Sequence, residues 1–130
     1  MFYNYRNMNL SKKEEEVMEV IWSKGEAYAK DIIDAADEPK PAATTVATLL
    51  KRMYDKGFIN YKQQGNSRLY FPLVKKDDYF SKEVKGMISN FFNNSVSQFA
   101  SFFAKSNNMS VEELEKLRDV IENEIDRKKH

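Results

Sequence analysis

The stretch TTVATLLKRMYDKGFINYKQQGNSRLYF, residues 44–71, decides the fold. Val46, Leu49, Leu50 and Met53 recur at i, i+3, i+4 and i+7, which predicts a helix from about Ala42 to Lys56 with one apolar face. Gly57 suits its stop. At ~100° per residue, Thr44, Thr48, Lys51 and Asp55 lie on the opposite face, flanked by Thr45 and Arg52. The period then changes. FINYKQ and RLYFPL are short runs rich in β-branched and aromatic residues, and Gln64-Gly65-Asn66-Ser67 between them reads as a turn. A helix with a polar, cationic outer face therefore leads straight into a β-hairpin.

Upstream, LSKKEEEVMEVIWSKG reads as a first helix. Ser11 and Glu14 have capping-box spacing, Leu10, Val17, Met18, Ile21 and Trp22 form its apolar stripe, and Gly25 ends it. The run Glu14-Glu15-Glu16 is expected on its exposed side. A short second helix fits AKDIIDAAD, with Ala29, Ile32, Ile33 and Ala36 on one face, before Pro39 and Pro41 break the pattern. Three helices followed by a hairpin predict a winged helix-turn-helix over residues 10–76, with residues 1–9 as a flexible N-terminal arm. The overall fold class is mostly α with a small β-hairpin.

Residues 77–130 read differently. Phe80, Val84, Met87, Ile88 and Phe91 line one predicted helix, and Val96, Phe99, Phe102 and Phe103 a second. Leu114, Leu117, Ile121 and Ile125 line a third, opened by a second capping box at Ser110 and Glu113. Short helices this rich in apolar residues bury little alone, so a second copy is the expected cover and the region is read as a helical dimerisation unit. A closed intramolecular core or a bound apolar effector are the alternatives for its phenylalanines.

The net charge of +1 conceals an uneven distribution. Residues 40–76 carry eight basic groups (Lys40, Lys51, Arg52, Lys56, Lys62, Arg68, Lys75 and Lys76) against Asp55 alone, whereas residues 77–130 carry eight against ten acids. The middle of the chain thus points to a polyanion. With no cysteine, disulfides and thiolate metal sites are excluded. The one histidine is the terminal His130, and no nucleophile, phosphate-loop or metal-ligand motif occurs, so neither catalysis, a metal nor a cofactor is expected. No apolar run approaches the ~18 residues of a membrane span and no signal-peptide pattern opens the chain, which predicts a cytoplasmic protein without membrane insertion.

A B-form major groove admits one α-helix and can be read there by donors, acceptors and methyl groups. Thr44, Thr45 and Thr48 offer hydroxyls and methyls, while Lys51 and Arg52 can reach phosphate or a guanine edge. Asn66, Ser67 and Arg68 at the hairpin tip suit the adjacent backbone or minor groove. Asp55 would repel phosphate and is expected at the footprint's edge. A basic outer face is also what an ordinary solvated helix presents, and a winged helix that binds only protein is the main rival. The hairpin aromatics Tyr61, Tyr70 and Phe71 can form a stacking platform for single strands, but a packing role against the third helix is expected for at least two of them. RNA fits less well, because a protruding helix suits the B-form groove better than the deep A-form one.

In order, LSKKEEEVMEVIW, TTVATLLKRMYDKGFI and RLYFPLVKKDDY resemble the penicillinase repressor (BlaI/MecI) family, from about Leu10 to Tyr79 and more weakly to about Glu124. The resemblance implies a homodimeric repressor on a palindromic operator, with Thr44, Thr45, Thr48 and Arg52 in the recognition helix and Arg68 in the wing. It also implies a role in β-lactam resistance, with release when a membrane-bound sensor metalloprotease system responds and the repressor is cleaved. The family's Asn-Phe cleavage pair, counted back from Met109-Ser110, falls on Phe102-Phe103, so the asparagine is missing. A copper-sensing branch relies on a cysteine-rich tail, which this chain lacks. Segment 91–103 is read as the element whose cutting or loosening uncouples the dimer.

Overall fold

The computed structural model describes residues 9–130; of the arm expected at residues 1–9, all but Asn9 lies outside the described residues. The elements run α1 (Lys12–Lys24), α2 (Ala29–Ala35), α3 (Ala43–Asp55), β1 (Ile59–Gln64), β2 (Ser67–Pro72), α4 (Lys76–Phe91), α5 (Val96–Ser106) and α6 (Val111–Lys129). They separate into two compact units, one ending at Phe80 and one spanning Ser81–His130.

In the first unit, α1 starts at a complete capping box. Ser11 Oγ accepts from the Glu14 N–H at 3.1 Å, and Glu14 Oε1 accepts from the Ser11 N–H at 2.8 Å. Two donors that the helix start would orphan are thereby satisfied. At the start of α2, Asp31 accepts the Tyr28 N–H at 2.8 Å. The end of α3 is a Schellman turn: the Gly57 N–H reaches Tyr54 O, and the Phe58 N–H reaches back to Met53 O, both at 3.0 Å. Gly57 sits at φ +86, where a side chain would be strained. Buried Phe58 and Met53 accompany that turn and swing the chain into the hairpin.

β1 and β2 pair antiparallel, with Ile59 opposite Pro72, Tyr61 opposite Tyr70 and Gln64 opposite Ser67. The loop is therefore the two residues Gly65 and Asn66, with Gly65 at φ +62. Glycine at the first loop position is the requirement of a primed turn, whose twist matches that of the strands. A feature without a sequence signal joins them. Ala27, between α1 and α2, exchanges both backbone hydrogen bonds with Tyr70, at 2.8 and 2.9 Å.

The core is formed by Val17, Met18 and Ile21 of α1, Ile32 of α2 and Val46, Leu50 and Met53 of α3, closed by Phe58, Ile59 and Tyr70. Buried Tyr79 also belongs to it. Its hydroxyl donates to Glu15 at 2.7 Å and its ring meets Phe58 edge-on at 5.7 Å. The Trp22 indole N–H donates to Val74 O at 2.8 Å, fixing the chain that leaves the hairpin.

One expectation is corrected in this core. Glu14 is not on a solvated side of α1 but 1% exposed, with Lys56 Nζ at 2.6 Å. Its position at the helix's third residue turns it back to the cap, and the end of α3 then covers it.

In the second unit, α4 ends where Asn93 and Asn94 take positive φ, and the Phe92 and Asn94 N–H groups both reach Ile88 O. Asparagine tolerates this left-handed geometry better than most residues. Ser95 then caps α5, and Ser110 with Glu113 forms the expected box at α6. Neither α5 nor α6 contains a buried residue. Phe92 meets Phe99 at 5.5 Å and Phe102 at 5.4 Å, and Phe99 meets Phe103 at 6.0 Å, a local cluster that leaves Phe102 55% exposed.

Candidate nucleic-acid interface

Burial of Val46, Leu50 and Met53, with Leu49 packed beside them, orients α3 so that its opposite face is open to solvent. Thr44, Thr45, Thr48, Lys51 and Arg52 are all exposed, and so are Asn66, Ser67 and Arg68. The hydroxyl of Thr48 donates to Thr44 O one turn back, at 3.0 Å. What Thr48 can offer outward is an acceptor lone pair and a methyl group. Thr45 sits further round the helix, on the cleft shared with Lys13, Val17 and Leu49.

The charges are less free than their spacing along the chain implies. Lys51 Nζ binds both carboxylate oxygens of Asp55, at 3.0 and 2.8 Å. In the free protein Asp55 is thus paired on its own helix face, one turn further along α3 than Lys51. Lys56 is held by Glu14, Lys62 by Glu26 at 3.4 Å, Lys76 by Glu19 at 2.8 Å, and Lys40 lies 4.0 Å from Glu38. Four of these acids lie outside residues 40–76, which is why the count over that window overstated the excess. Among the described residues, Arg52, Arg68 and Lys75 of the eight have no acidic partner. The exposed pairs are weak, ~0–1 kcal/mol each, so a phosphate can exchange for the carboxylate. The Glu14–Lys56 pair is different, because Glu14 is fully covered and Lys56 three-quarters so.

On the hairpin, Ile59, Tyr61 and Gln63 share one face with their partners Pro72, Tyr70 and Arg68. That face runs from the buried Ile59 and Tyr70 out to the exposed Arg68. Tyr61 contacts Tyr70 at 5.6 Å and Tyr54 of α3 at 5.6 Å, and the Arg68 guanidinium lies 4.4 Å above the Tyr61 ring. Tyr61 thus packs against the third helix, as expected, while Tyr70 is buried in the core against Tyr61 and beside Ala27. Tyr54 was not foreseen, because its contact depends on the hairpin folding back on α3. The exposed helix row and the wing arginine are joined through these rings. A helix face of this kind fits a B-form major groove, and an arginine beside it can hold the adjacent backbone.

Comparison with known proteins bears on the same elements. The family model described as "Penicillinase repressor" matches residues 10–123. The chain belongs to the penicillinase repressor family. The methicillin resistance regulatory protein MecI of Staphylococcus aureus is 31% identical over 117 residues, 89% of this chain and 95% of that protein. The penicillinase repressor of Bacillus licheniformis is 26% identical over 121 residues, 92% of this chain and 94% of its own length. The solution structure of the DNA-binding domain of the repressor BlaI aligns at a TM-score of 0.49 and 29% identity, over 55% of this chain and 88% of that one. As a penicillinase repressor family member, the chain is a transcriptional repressor and not an enzyme. Among the described residues no helix is long and apolar enough to cross a membrane, and no group of three metal-binding side chains converges.

Proposed function

We propose that the chain represses transcription in the cytoplasm as a homodimer on a two-fold operator, each copy placing α3 in a major groove and its hairpin along the flanking backbone. The observation that carries this is the exposed row Thr44, Thr48, Lys51 and Arg52 on a helix whose other side is locked into the core, set beside Arg68, which has no acidic partner among the described residues. Thr44 and Thr48 face bases, Arg52 reaches a base edge or phosphate, and Asn66, Ser67 and Arg68 grip the flank. Lys51 joins them by exchanging Asp55 for phosphate.

Dimerisation is assigned to the helical region of residues 77–130, from Phe80 onward, because Tyr79 is buried in the first unit's core. Val84 is 37% exposed, Met87 41%, Phe91 78%, Phe103 41%, Leu114 39% and Ile121 50%, and Ile88, Phe99 and Leu117 are half-buried. Aliphatic and aromatic groups left open to this degree along three helices favour cover by a second copy. Two coupled copies set their recognition helices a whole number of turns apart, ~34 Å per turn, which one winged helix cannot do.

Release follows from cutting or loosening the second unit in response to a β-lactam signal relayed by a membrane-bound sensor metalloprotease. The position matching the family's cleaved bond, Phe102-Phe103, lies inside α5. A protease binds its substrate extended, so that turn must first unwind. The test is a gel-shift titration on fragments selected from the source genome, across salt concentrations. Steep loss of affinity with salt and a loss of about tenfold or more for Arg52→Ala are expected. Binding that ignores salt and Arg52 would move the chain to the class of protein-binding winged helices.

A further inference from the structure

We propose that Tyr61 is a positioning residue for the wing: with Tyr54 behind it, the ring holds the Arg68 guanidinium at a fixed place relative to α3. This rests on the DNA-binding reading above. Three observations support it.

The first is geometric. Arg68 pairs with Gln63 in the hairpin register, which puts it diagonally across from Tyr61 on the same face. Its guanidinium lies 4.4 Å from the ring centroid, within cation–π range. The second is the chain of support. Tyr61 is half-buried, and its ring meets Tyr54 of α3 at 5.6 Å on one side and the buried Tyr70 at 5.6 Å on another. The stack is therefore referenced to the same helix that carries Thr48 and Arg52. The third is electrostatic. Lys62, the other cation of the hairpin strands, is engaged by Glu26, whereas among the described residues no acid approaches Arg68. Its full charge stays available.

A free arginine at a hairpin tip has many rotamers, and binding phosphate would have to order all of them. A guanidinium lying along a ring has lost most of that freedom beforehand. Its face is satisfied by the ring while its N–H edges stay open to phosphate oxygens. The ring thus raises affinity without touching DNA. A lysine cannot reproduce this, because an ammonium has no plane to stack.

The full-length chain tests this with Tyr61→Phe, Tyr61→Leu, Arg68→Lys, Arg68→Ala and the double variant Tyr61→Leu/Arg68→Ala. In the free protein, the Arg68 side-chain protons should show an upfield ring-current shift by NMR, kept in Tyr61→Phe and lost in Tyr61→Leu. On selected operator fragments, Tyr61→Leu and Arg68→Lys should each weaken binding about fivefold to tenfold, and Tyr61→Phe hardly at all. Tyr61→Leu should cost nothing further once Arg68 is alanine. Arg68→Lys alters only an exposed side chain, so it answers the question even if Tyr61→Leu disturbs the fold. An absent ring-current shift, an Arg68→Lys variant that binds like the wild type, or an equal cost of Tyr61→Leu in both backgrounds overturns the positioning role. If the shift is present but no operator is bound, the DNA-binding reading has failed and the role falls with it.

Discussion

Among the described residues of the first unit, Glu14 is the buried charged side chain, and its surroundings decide its state. Desolvation pushes its carboxyl towards the neutral form. The Lys56 hydrogen bond and charge, with the Ser11 backbone N–H, outweigh this and hold its pKa below the ordinary 4.5. Lys56 also donates to Asn9 O at 3.0 Å, so one ammonium ties the start of α1 to the end of α3. Removing one member of a covered pair strands the other, so Lys56→Met should cost about 3 kcal/mol in urea unfolding. Glu14→Leu/Lys56→Met should recover part of that loss. Because the folded pKa is depressed, the pair's contribution is complete above 4.5 and is lost as pH falls through the lower folded value. Melting temperatures measured down through that range should decline more steeply for the wild type than for Glu14→Gln. Capping-box spacing made Glu14's local role legible, but its burial was not, because the partner comes from 42 positions away.

At the scale of the element, α3 trades helix stability for an outward face. Threonine is a poorer helix former than alanine, by up to about 0.7 kcal/mol per residue. Three threonines in its first two turns are tolerated because buried Val46, Leu50 and Met53 hold the helix from behind. Thr48→Ala should therefore raise stability by about 0.5 kcal/mol in denaturant titration. On selected operators the same change should weaken binding about tenfold, through the lost acceptor and methyl. A stabilised variant that binds unchanged would remove Thr48 from the interface. The first turn of α4 has the opposite character. Tyr79 sits between Trp22 at 5.9 Å and Phe58, with its hydroxyl on Glu15. Tyr79→Ala should destabilise the first unit by about 3 kcal/mol, and Tyr79→Phe by about 1 kcal/mol, both read from urea unfolding. Equal effects would mean the hydroxyl rather than the ring dominates.

For the molecule as a whole, the first unit closes a core of its own, while the second leaves its apolar stripes open. Under the proposed function that contrast divides the work: the first unit would grip a polyanion and the second would be completed by another copy. Removing the partner contact should leave the reading head folded yet weaken its grip, because the second half-site is no longer presented at high local concentration. A chain ending at Asn94 should sediment as a monomer, retain the melting transition of the first unit, and bind operator about a hundredfold more weakly. Ile121→Glu in the full chain should move in the same direction. If the shortened chain held operator as tightly as the intact one, residues 95–130 would not be the coupling element.

The sequence by itself determined the local pieces: two capping boxes, the Gly57 stop, the Gly65 turn and the apolar stripes that name the inner faces of α1, α2 and α3. These depend on residues within a few positions of one another, where spacing translates directly into geometry. Tertiary structure alone decided which charges are free and which rings meet. Ion pairs such as Lys76 with Glu19 and Lys62 with Glu26, the Ala27–Tyr70 bridge and the Tyr54–Tyr61–Arg68 stack each join segments separated along the chain. Coulomb attraction and ring packing act over a few ångströms of space, and only the folded chain sets those distances.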